Sequence, residues 1–372
     1  MKNIVVLGGS YLQSFFIKNA VSSNKVFVLD GNQNCYASKN NLGIFFNIDF
    51  SEINKVREFC IKYKIDSIIA PVNENGNIIA SKISQDFGYI YNTPDTVLLT
   101  SDKSFYDKIL KEAGLKRLKT FYKKNEINDI KFPVIVKPTQ STSSKGVTLL
   151  ESDTNLDMAI DYAKANSRTG KIIIEEYIKG IQFSIETISF KGEHQIVGVV
   201  EEHLSKPPVF FERSDYLDME LQFNYIEKFN NYIVKLLSAF NVQTGPCHVE
   251  VRIKNSDIYL IDFASRSGGW RDIMLHFSGI NYNQLILDSY LGNKININNY
   301  KIKFSVGAGI LMYKKDKNQY NKAKNSSYFI ADYFNSNKPQ SNPRSLAQAY
   351  GYYFIKGRNR NNLSNLLPVK IN

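Results

Sequence analysis

Residues 244–269 hold the feature that most restricts how this 372-residue chain can fold and act. Their sequence, TGPCHVEVRIKNSDIYLIDFASRSGG, contains two runs of alternating apolar and polar residues, separated by a polar bend at Lys254–Asp257. This pattern predicts a β-hairpin. Glu250 lies on its first strand and Asp262 on its second, and neighbouring strands lie about 4.8 Å apart. Two carboxylates facing the same way at that distance suit one or two divalent cations.

The residues that follow the second strand extend this pattern. Arg266 comes soon after Asp262, and Gly268 and Gly269 follow it. An arginine fork and glycine N–H groups suit a phosphoryl or acyl-phosphate group. Two acidic residues on a hairpin are, however, more often a solvated face, so the upstream segments must decide between the two interpretations.

Composition excludes several classes of protein. No apolar run approaches the roughly 20 residues of a membrane span, and the N-terminus MKNIVVLGGS has no signal-peptide pattern. The net charge of +12 is compatible with nucleic-acid binding, but the lysines are dispersed and only Lys356–Arg360 is locally dense in cations. We therefore predict a cytoplasmic protein that binds neither nucleic acid nor membrane.

The cysteines point to the same compartment. Cys35, Cys60 and Cys247 lie far apart, in odd number and without metal-ligand spacing, as in a protein of the reducing cytoplasm. A catalytic pair of Cys247 and His248 is a further, less favoured interpretation.

The first 95 residues alternate strands and helices, which predicts a doubly wound parallel sheet. Gly8, Gly9 and Asp30 are similar to a dinucleotide fingerprint, but the turn GGSYLQ lacks the third glycine. An NAD-dependent dehydrogenase is therefore a minor alternative. Farther along, the pattern predicts single helices over 101–113 and 274–291 and a small mixed lobe over about 117–180.

Two segments within that small lobe carry polar groups suited to a nucleotide. In FPVIVKPTQSTSSKGVTLL, residues 132–150, a strand delivers Lys137 to a hydroxyl-rich loop that ends at Gly146. Such a loop can fold over phosphates, although it is not a Walker loop and a solvated hairpin tip is equally compatible with it. In IIIEEYIKG, residues 172–180, a strand ends in an exposed linker whose backbone could bond an adenine edge.

The order of these segments resembles the ATP-grasp superfamily over nearly the whole chain. The series comprises Asp102–Lys103, the VKP strand with its serine-rich loop, the EEYI linker, and the acidic strands ending in R-x-G-G. HLSKPPVFFERSDYL at 203–217, followed by GPCHVEVR, is closer still to the branch of bacilysin-type L-amino-acid ligases and carbamoyl-phosphate-synthase-like proteins.

The resemblance implies an α/β architecture in three parts. A pre-ATP-grasp domain would cover residues 1–95 as a doubly wound parallel sheet. A two-lobed ATP-grasp core with antiparallel sheets would cover 96–295, with its small lobe at about 117–180. A C-terminal α+β extension, packed on the larger lobe, would cover 296–372.

The resemblance also implies a role for each matching residue. Catalytic roles fall on Arg266, Lys137, Gly268 and Gly269. ATP contacts fall on Lys103, Lys137, the covering loop Ser143, Ser144, Lys145 and Gly146, the linker Glu175, Glu176, Tyr177 and Ile178, and Gln182. Metal ligation falls on Glu250 and Asp262, and the substrate pocket on His203, Glu212, Arg213, His248 and Ser267.

Three positions depart from the family's usual pattern. Gln182 stands where a glutamate usually binds the ribose, Asp262 where a longer glutamate usually binds metal, and Ala264 where an asparagine usually supplies another metal ligand. ATP and Mg²⁺ (or Mn²⁺) are the expected cofactors, with extra water filling the gap at Ala264.

The implied activity is ATP-dependent ligation. A carboxylate would be activated as an acyl phosphate and joined to an amine, with release of ADP and phosphate, by a protein that family analogy makes a homodimer. A bicarbonate-phosphorylating enzyme of the carboxylase or carbamoyl-phosphate type and a non-catalytic ATP-binding protein remain the alternatives.

Overall fold

The computed structural model describes residues 1–124, 126, 131–295, 301–358 and 360–370. In these ranges the strands form three sheets, one parallel and two mainly antiparallel, with helices packed against them. The predicted α/β fold class is therefore confirmed.

The N-terminal unit is built on an all-parallel sheet with the strand order β3-β2-β1-β4. Its strands are β1 (Asn3–Leu7), β2 (Lys25–Leu29), β3 (Ile44–Phe46) and β4 (Ser67–Ile69). Its helices are α1 (Tyr11–Val21), α2 (Tyr36–Lys39), α3 (Ile53–Lys62) and α4 (Glu74–Phe87). The near-continuous apolar runs of β1 and β2 are buried, as expected for a parallel strand covered on both faces.

Asp30 follows the second strand of this sheet, and its carboxylate is already engaged. Its Oδ2 accepts a hydrogen bond of 2.8 Å from the backbone N–H of Gly9. The glycine turn and the acidic residue are thus hydrogen-bonded to each other, and neither lines the cleft that is described below as the candidate site. This arrangement gives no support to the dinucleotide alternative.

The small lobe carries a four-stranded sheet in the order β5-β8-β6-β7. Its elements are β5 (Thr120–Phe121), β6 (Val134–Pro138), β7 (Thr148–Leu150), α7 (Leu156–Ala165) and β8 (Ile172–Glu176). Apolar residues of α7 pack on one face of the sheet in a small separate core. The other face, which carries Lys137 and Glu175, is directed toward the large lobe.

The large lobe contains an eight-stranded sheet in the order β13-β12-β9-β10-β11-β14-β16-β15. Its strands are β9 (Gln182–Phe190), β10 (Glu193–Leu204), β11 (Glu212–Leu217), β12 (Gly245–Lys254), β13 (Asp257–Ala264), β14 (Ser305–Leu311), β15 (Phe329–Phe334) and β16 (Gly351–Gly357). The last three strands come from the predicted C-terminal extension, which continues the sheet through pairing of β14 with β11.

Helices connect and cover this sheet. They are α5 (Pro94–Ser101), α6 (Tyr106–Glu112), α8 (Met219–Ala239), α9 (Trp270–Ser278), α10 (Tyr282–Leu291), α11 (Asp316–Lys324) and α12 (Arg360–Ser364). In the described part of the chain, no helix is both long and apolar enough for a membrane crossing.

Two predicted helices are wrong in their extent. The single helix predicted over 274–291 is two helices, because Gly279 adopts a left-handed φ of 106° that ends α9. The helix predicted over 101–113 begins as a 3₁₀ turn at Lys103–Phe105 before α6, and Asp102 caps that turn by accepting from Ser104 N–H at 3.0 Å.

Candidate active site

A cleft of about 570 Å³ lies where the three units meet. The small lobe contributes β6, β8 and the 141–145 loop, the large lobe contributes β9, β12 and β13, and the N-terminal unit contributes Leu12 and residues 72–75. Most of the residues singled out in the sequence line this one cavity. We therefore build the candidate site from the strands that surround it.

The predicted hairpin is present and forms the floor of the cleft. β12 and β13 pair antiparallel, with Glu250 directly opposite Asp262. Asn255 and Ser256 form the turn between them with φ values of 50° and 69°, the left-handed pair that a tight hairpin turn requires. Both carboxylates therefore face the same cavity, as the alternation predicted.

Two buried lysines line the cleft, each beside an acidic residue. Lys103 Nζ lies 2.7 Å from Asp262 Oδ1, and Lys137 Nζ lies 2.6 Å from Glu175 Oε2. Lys137 also donates to the carbonyl of Ile261 at 3.0 Å. Burial opposes ionisation of Asp262, but Lys103 outweighs it and holds the pKa of this carboxyl below its usual value.

The loop of the small lobe contains three residues in the left-handed region of backbone conformation. Ser143, Ser144 and Gly146 all have positive φ, at 59°, 55° and 80°. A Cβ on Gly146 would lie 2.7 Å from Pro138 Cγ, so only glycine fits there. The Ser143 carbonyl accepts from Leu346 N–H at 3.0 Å, so the loop is held against the C-terminal part of the chain. Lys145 lines the same cavity.

The linker after β8 is held in place by an arginine from the hairpin. Arg252 Nη1 donates to the Ile178 carbonyl at 2.8 Å, and its guanidinium lies 5.0 Å from the centre of the Tyr177 ring. Tyr177 in turn stacks on Phe210, with ring centres 5.7 Å apart. Glu176 and the other linker residues line the cleft, which gives it a flat aromatic wall at this end.

Gln182 is part of a polar network on the floor of the cleft. Its side-chain N–H₂ donates to Glu250 Oε2 at 3.0 Å and to Glu202 Oε2 at 2.7 Å, and its Oε1 accepts from Arg252 at 3.0 Å. An amide can serve both roles because it both donates and accepts, which a glutamate at this position could not do. Gln182 therefore connects Arg252, the arginine that holds the linker, to Glu250 on the hairpin.

Arg266 reaches across to the N-terminal unit. Its Nε donates to Glu74 Oε2 at 2.7 Å, and its Nη1 donates to the carbonyl of Ser267 at 2.9 Å. Ser267 itself is fully buried and donates to the Pro71 carbonyl at 2.7 Å. Gly269, at φ 76°, precedes α9 and lines the cleft together with Gly268. The N-terminal unit thus orients the arginine.

A buried charge cluster at the far end of the cleft was not predicted as a unit. Arg271, only 2% exposed, contacts three carboxylates: Glu202, Glu212 at 3.2 Å and Asp215 at 3.3 Å. Burial raises the pKa of Glu212 to about 8 and that of Asp215 to about 6, against the opposing effect of Arg271. Within the described residues, Glu212 Oε2 has no hydrogen-bond partner.

Three predicted substrate residues do not line this cleft. Ser267 is buried against Pro71, and the other two lie on the far side of the sheet. His203 Nε2 lies 2.7 Å from Glu201 Oε1, and Arg213 Nη2 donates to Asp316 Oδ1 at 2.6 Å. His203 faces away because it alternates along β10 with Glu202, which contacts Arg271. Arg213 faces away because of a bulge: Leu204 pairs with Glu212 but His203 pairs with Ser214, so Arg213 is an extra residue on β11. The bulge keeps Glu212 facing the cleft while its neighbour faces away.

His248 lies in the cleft between two acidic residues. Its Nδ1 lies 2.6 Å from Glu186 Oε1 and its Nε2 lies 3.2 Å from Glu250 Oε1. Burial alone would lower the pKa of this histidine, but the two carboxylates raise it to about 10. Cys247, by contrast, is fully buried, and burial raises the pKa of its thiol far above the usual value. This thiol is therefore unsuited to act as a nucleophile.

Comparison with known proteins identifies the central segment of the chain. Residues 130–273 match the family model of the ATP-grasp domain. This segment has the sequence pattern of an ATP-grasp domain. The matched segment includes the VKP strand, the serine-rich loop, the linker and the whole hairpin up to Arg271, so the predicted resemblance is confirmed.

Two relatives of known name are similar to this chain in sequence. A D-alanine–D-alanine ligase of Petrotoga mobilis is 22% identical over 267 residues, covering 68% of this chain and 87% of the ligase. The carbamoyl phosphate synthase large chain of Clostridium beijerinckii is 23% identical over 233 residues, covering 60% of this chain, which spans only 21% of that longer protein.

The same fold is found in a solved structure. The L-amino acid ligase from Bacillus licheniformis superposes with a TM-score of 0.81 and 17% identity, covering 98% of this chain and 95% of that one. At this identity the likeness establishes a shared fold and nothing further.

Proposed function

We propose that this protein uses ATP to activate a carboxylate as an acyl phosphate and joins it to an amine. The observation that carries the proposal is the convergence of Lys103, Lys137, Glu250, Asp262 and Arg266 on one cleft. We likewise propose which substrates and metal this chain binds and what each residue does.

The donor set fits the expected metal. Glu250 and Asp262 supply oxygen ligands of the kind that Mg²⁺ prefers, and they face the same cavity from paired strands. They would hold the ion, which would neutralise charge on the phosphates when bound. Ala264 lines the cleft beside them without a donor, which leaves that coordination position to water.

ATP would lie along the cleft from the linker to the hairpin. The aromatic wall of Tyr177 and Phe210 and the backbone of the linker would hold the base. Lys137 and Lys103 would exchange their present acidic partners for phosphate oxygens, and the 141–146 loop would cover the phosphates and exclude water. Arg266, oriented by Glu74, would offset charge on the phosphoryl group in transfer.

The substrate end of the cleft would be the charge cluster around Arg271. Among the residues that the structure describes, none bonds Glu212 Oε2, and this oxygen suits an N–H donor such as the amine of a substrate. The carboxylate of the other substrate would then lie near Arg266 and attack the γ-phosphoryl group, which would displace ADP and form the acyl phosphate. The amine would attack the acyl phosphate and displace inorganic phosphate. The same end of the cleft holds Trp270, whose Nε1 is already occupied by Asp215 at 2.7 Å.

A phosphate-release screen tests the activity. Pairs of amino acids, sugar acids and amines would be supplied with Mg·ATP, and we expect release of phosphate and ADP that needs both a carboxylate and an amine. Turnover with bicarbonate alone would favour the carboxylase-type alternative. ATP binding without turnover across the screen would favour a non-catalytic binder. The predicted homodimer and cytoplasmic location are parts of the same proposal.

The two lysines give a prediction for nucleotide binding. Each would make one charge-assisted contact with a phosphate, a contribution of about 1.5–3 kcal/mol. Lys103→Met and Lys137→Met should therefore weaken ATP binding by about 10- to 150-fold in calorimetry. Lys116→Met is the matched control, because Lys116 pairs with Asp257 at the surface, 3.1 Å away, outside the cleft. Wild-type affinity in both cleft variants would contradict the site.

Oxygen-18 labelling tests the intermediate. Formation of an acyl phosphate moves one carboxylate oxygen onto the released phosphate. Label placed in the substrate carboxylate should therefore appear in inorganic phosphate, as read by mass spectrometry, with ADP as the other product. Unlabelled phosphate, or AMP and pyrophosphate among the products, would exclude this route.

A further inference from the structure

One buried acidic residue beneath the cleft has no role in the site as described so far. Glu186 is fully buried in the middle of β9, and its carboxylate is used at both oxygens. Oε1 lies 2.6 Å from His248 Nδ1, and Oε2 accepts from the backbone N–H of Gly268 at 3.1 Å. Burying a carboxylate costs free energy unless the carboxylate is paired. Glu186 therefore makes contacts at this position that an apolar residue could not make.

The partners of Glu186 connect it to both halves of the site. His248 pairs with Glu186 across the strands, and its other nitrogen, Nε2, lies 3.2 Å from Glu250 Oε1. Gly268 belongs to the turn between Arg266 and α9. One carboxylate therefore fixes the histidine that contacts Glu250 and also the backbone that follows Arg266.

The packing around Gly268 shows how tight this contact is. A Cβ on Gly268 would lie 2.2 Å from Glu186 Oε1 and 2.7 Å from His248 Nδ1. Its φ is not in the left-handed region, so the backbone would accept alanine and only the space is lacking. The glycine is thus required by the carboxylate beneath it.

From these contacts we infer that Glu186 is a positioning residue for the metal site. Through His248, Glu186 sets the orientation of Glu250. Through Gly268 N–H, it holds the turn after Arg266 at a fixed distance from the Glu186 carboxylate. The inference rests on the proposed function, because it assumes that Glu250 binds the metal. Removal of a residue that hydrogen-bonds to a metal ligand typically lowers the metal affinity by about 10- to 100-fold.

The test measures metal binding without turnover. Mn²⁺ is titrated into protein saturated with the non-hydrolysable analogue adenylyl imidodiphosphate, and the ternary complex is followed by electron paramagnetic resonance. Glu186→Gln places an amide N–H₂ against either His248 or Gly268 N–H, so we expect the Mn²⁺ dissociation constant to rise by about 10-fold or more. Binding of the analogue itself should change less than about 3-fold.

Thr187→Val is the matched control. Thr187 is the next residue on β9, equally buried, and its hydroxyl donates only a long bond of 3.4 Å to the Cys247 carbonyl on the other side of the strand. This variant should bind Mn²⁺ like the wild type. Gly268→Ala disturbs the same contact from the other end, so it should weaken Mn²⁺ binding, and less than additively with Glu186→Gln.

The outcomes separate this inference from the proposed function. If Glu250→Gln binds Mn²⁺ like the wild type, the metal site itself is wrong. If Glu250→Gln weakens Mn²⁺ binding but Glu186→Gln and Gly268→Ala do not, the positioning role of Glu186 is wrong. If Glu186→Gln does not fold, Gly268→Ala alone decides, since wild-type Mn²⁺ affinity in that variant overturns the inference.

Discussion

Glu250→Gln and Asp262→Asn should each reduce turnover by about 100-fold or more while ATP still binds. A loss of that size corresponds to about 2.7 kcal/mol of transition-state stabilisation. Each change removes a charged oxygen ligand from a hard-cation site, and charge on the phosphoryl group in transfer depends on that ion more than ground-state binding does. The two residues lie opposite each other on β12 and β13, so both variants should show the same defect.

The measurement is the rate of ADP release across a magnesium titration, with ATP affinity measured separately. Asp257→Asn is the matched control, because Asp257 lies on the same hairpin and pairs with Lys116 outside the cleft. That variant should turn over like the wild type. Equal rates for all three variants and the wild type would mean that the hairpin acids are ordinary strand residues.

A substitution at Ala264 should strengthen the binding of magnesium. It lies opposite His248 on β13 and lines the cleft without a polar side-chain atom. Ala264→Asn would supply a side-chain oxygen to the ion, so the magnesium concentration at half-maximal rate should fall. An unchanged magnesium requirement would show that this position does not face the metal.

Local sequence patterns predicted much of the site, because its main parts are local. Glu250 and Asp262 belong to one hairpin, whose alternation fixes which residues share a face. Lys137 and Gly146 likewise belong to one strand and the loop that follows it. In these segments a short stretch of sequence determines both the backbone and the direction of the side chains.

The rest depends on contacts between distant segments. Arg271 comes from α9, while its carboxylate partners Glu202, Glu212 and Asp215 come from β10 and β11. Charged residues are usually exposed, so no local pattern predicts that these four are buried together. The structure also shows Glu186 holding His248 from a neighbouring strand, a contact set by strand order.

Irregularities in strand pairing could not be predicted from the sequence either. The extra residue at Arg213 turns this side chain away from the cleft, although Arg213 belongs to the segment that resembles the family most closely. Pairing of the C-terminal strands with β11 is a further example, since β14 is separated from its partner by several helices. A bulge and a distant strand pair both depend on the assembled sheet.

Arg271→Met should destabilise the protein by about 3–5 kcal/mol near pH 8. Arg271 is 2% exposed and lies against Glu202, Glu212 and Asp215. Methionine fills a similar volume but leaves these carboxylates without a buried cation, and removing one partner of a buried ion pair costs about that much. The loss would be measured as the free energy of unfolding in urea.

The pH dependence of the stability lost in Arg271→Met identifies the cause of that loss. Burial raises the pKa of Glu212 to about 8 and of Asp215 to about 6, both above the values of an unfolded chain, although Arg271 lowers them. A raised pKa means that the folded protein holds the proton more tightly, so the associated stability is present in acid and is lost as pH rises through the folded pKa. Without Arg271 both pKa values should rise further, and the deficit relative to wild type should grow from pH 5 to pH 8.

An exposed arginine provides the comparison. Arg57 pairs with Asp86 at 2.7 Å, but both side chains are more than a third exposed, so Arg57→Met should cost less than about 1 kcal/mol at either pH. A deficit for Arg271→Met that stays constant from pH 5 to pH 8 would mean that lost packing is its cause. Equal stability of Arg271→Met and wild type at pH 8 would mean that the three carboxylates do not need the cation, and the charge cluster would then have to be mostly protonated in the native protein.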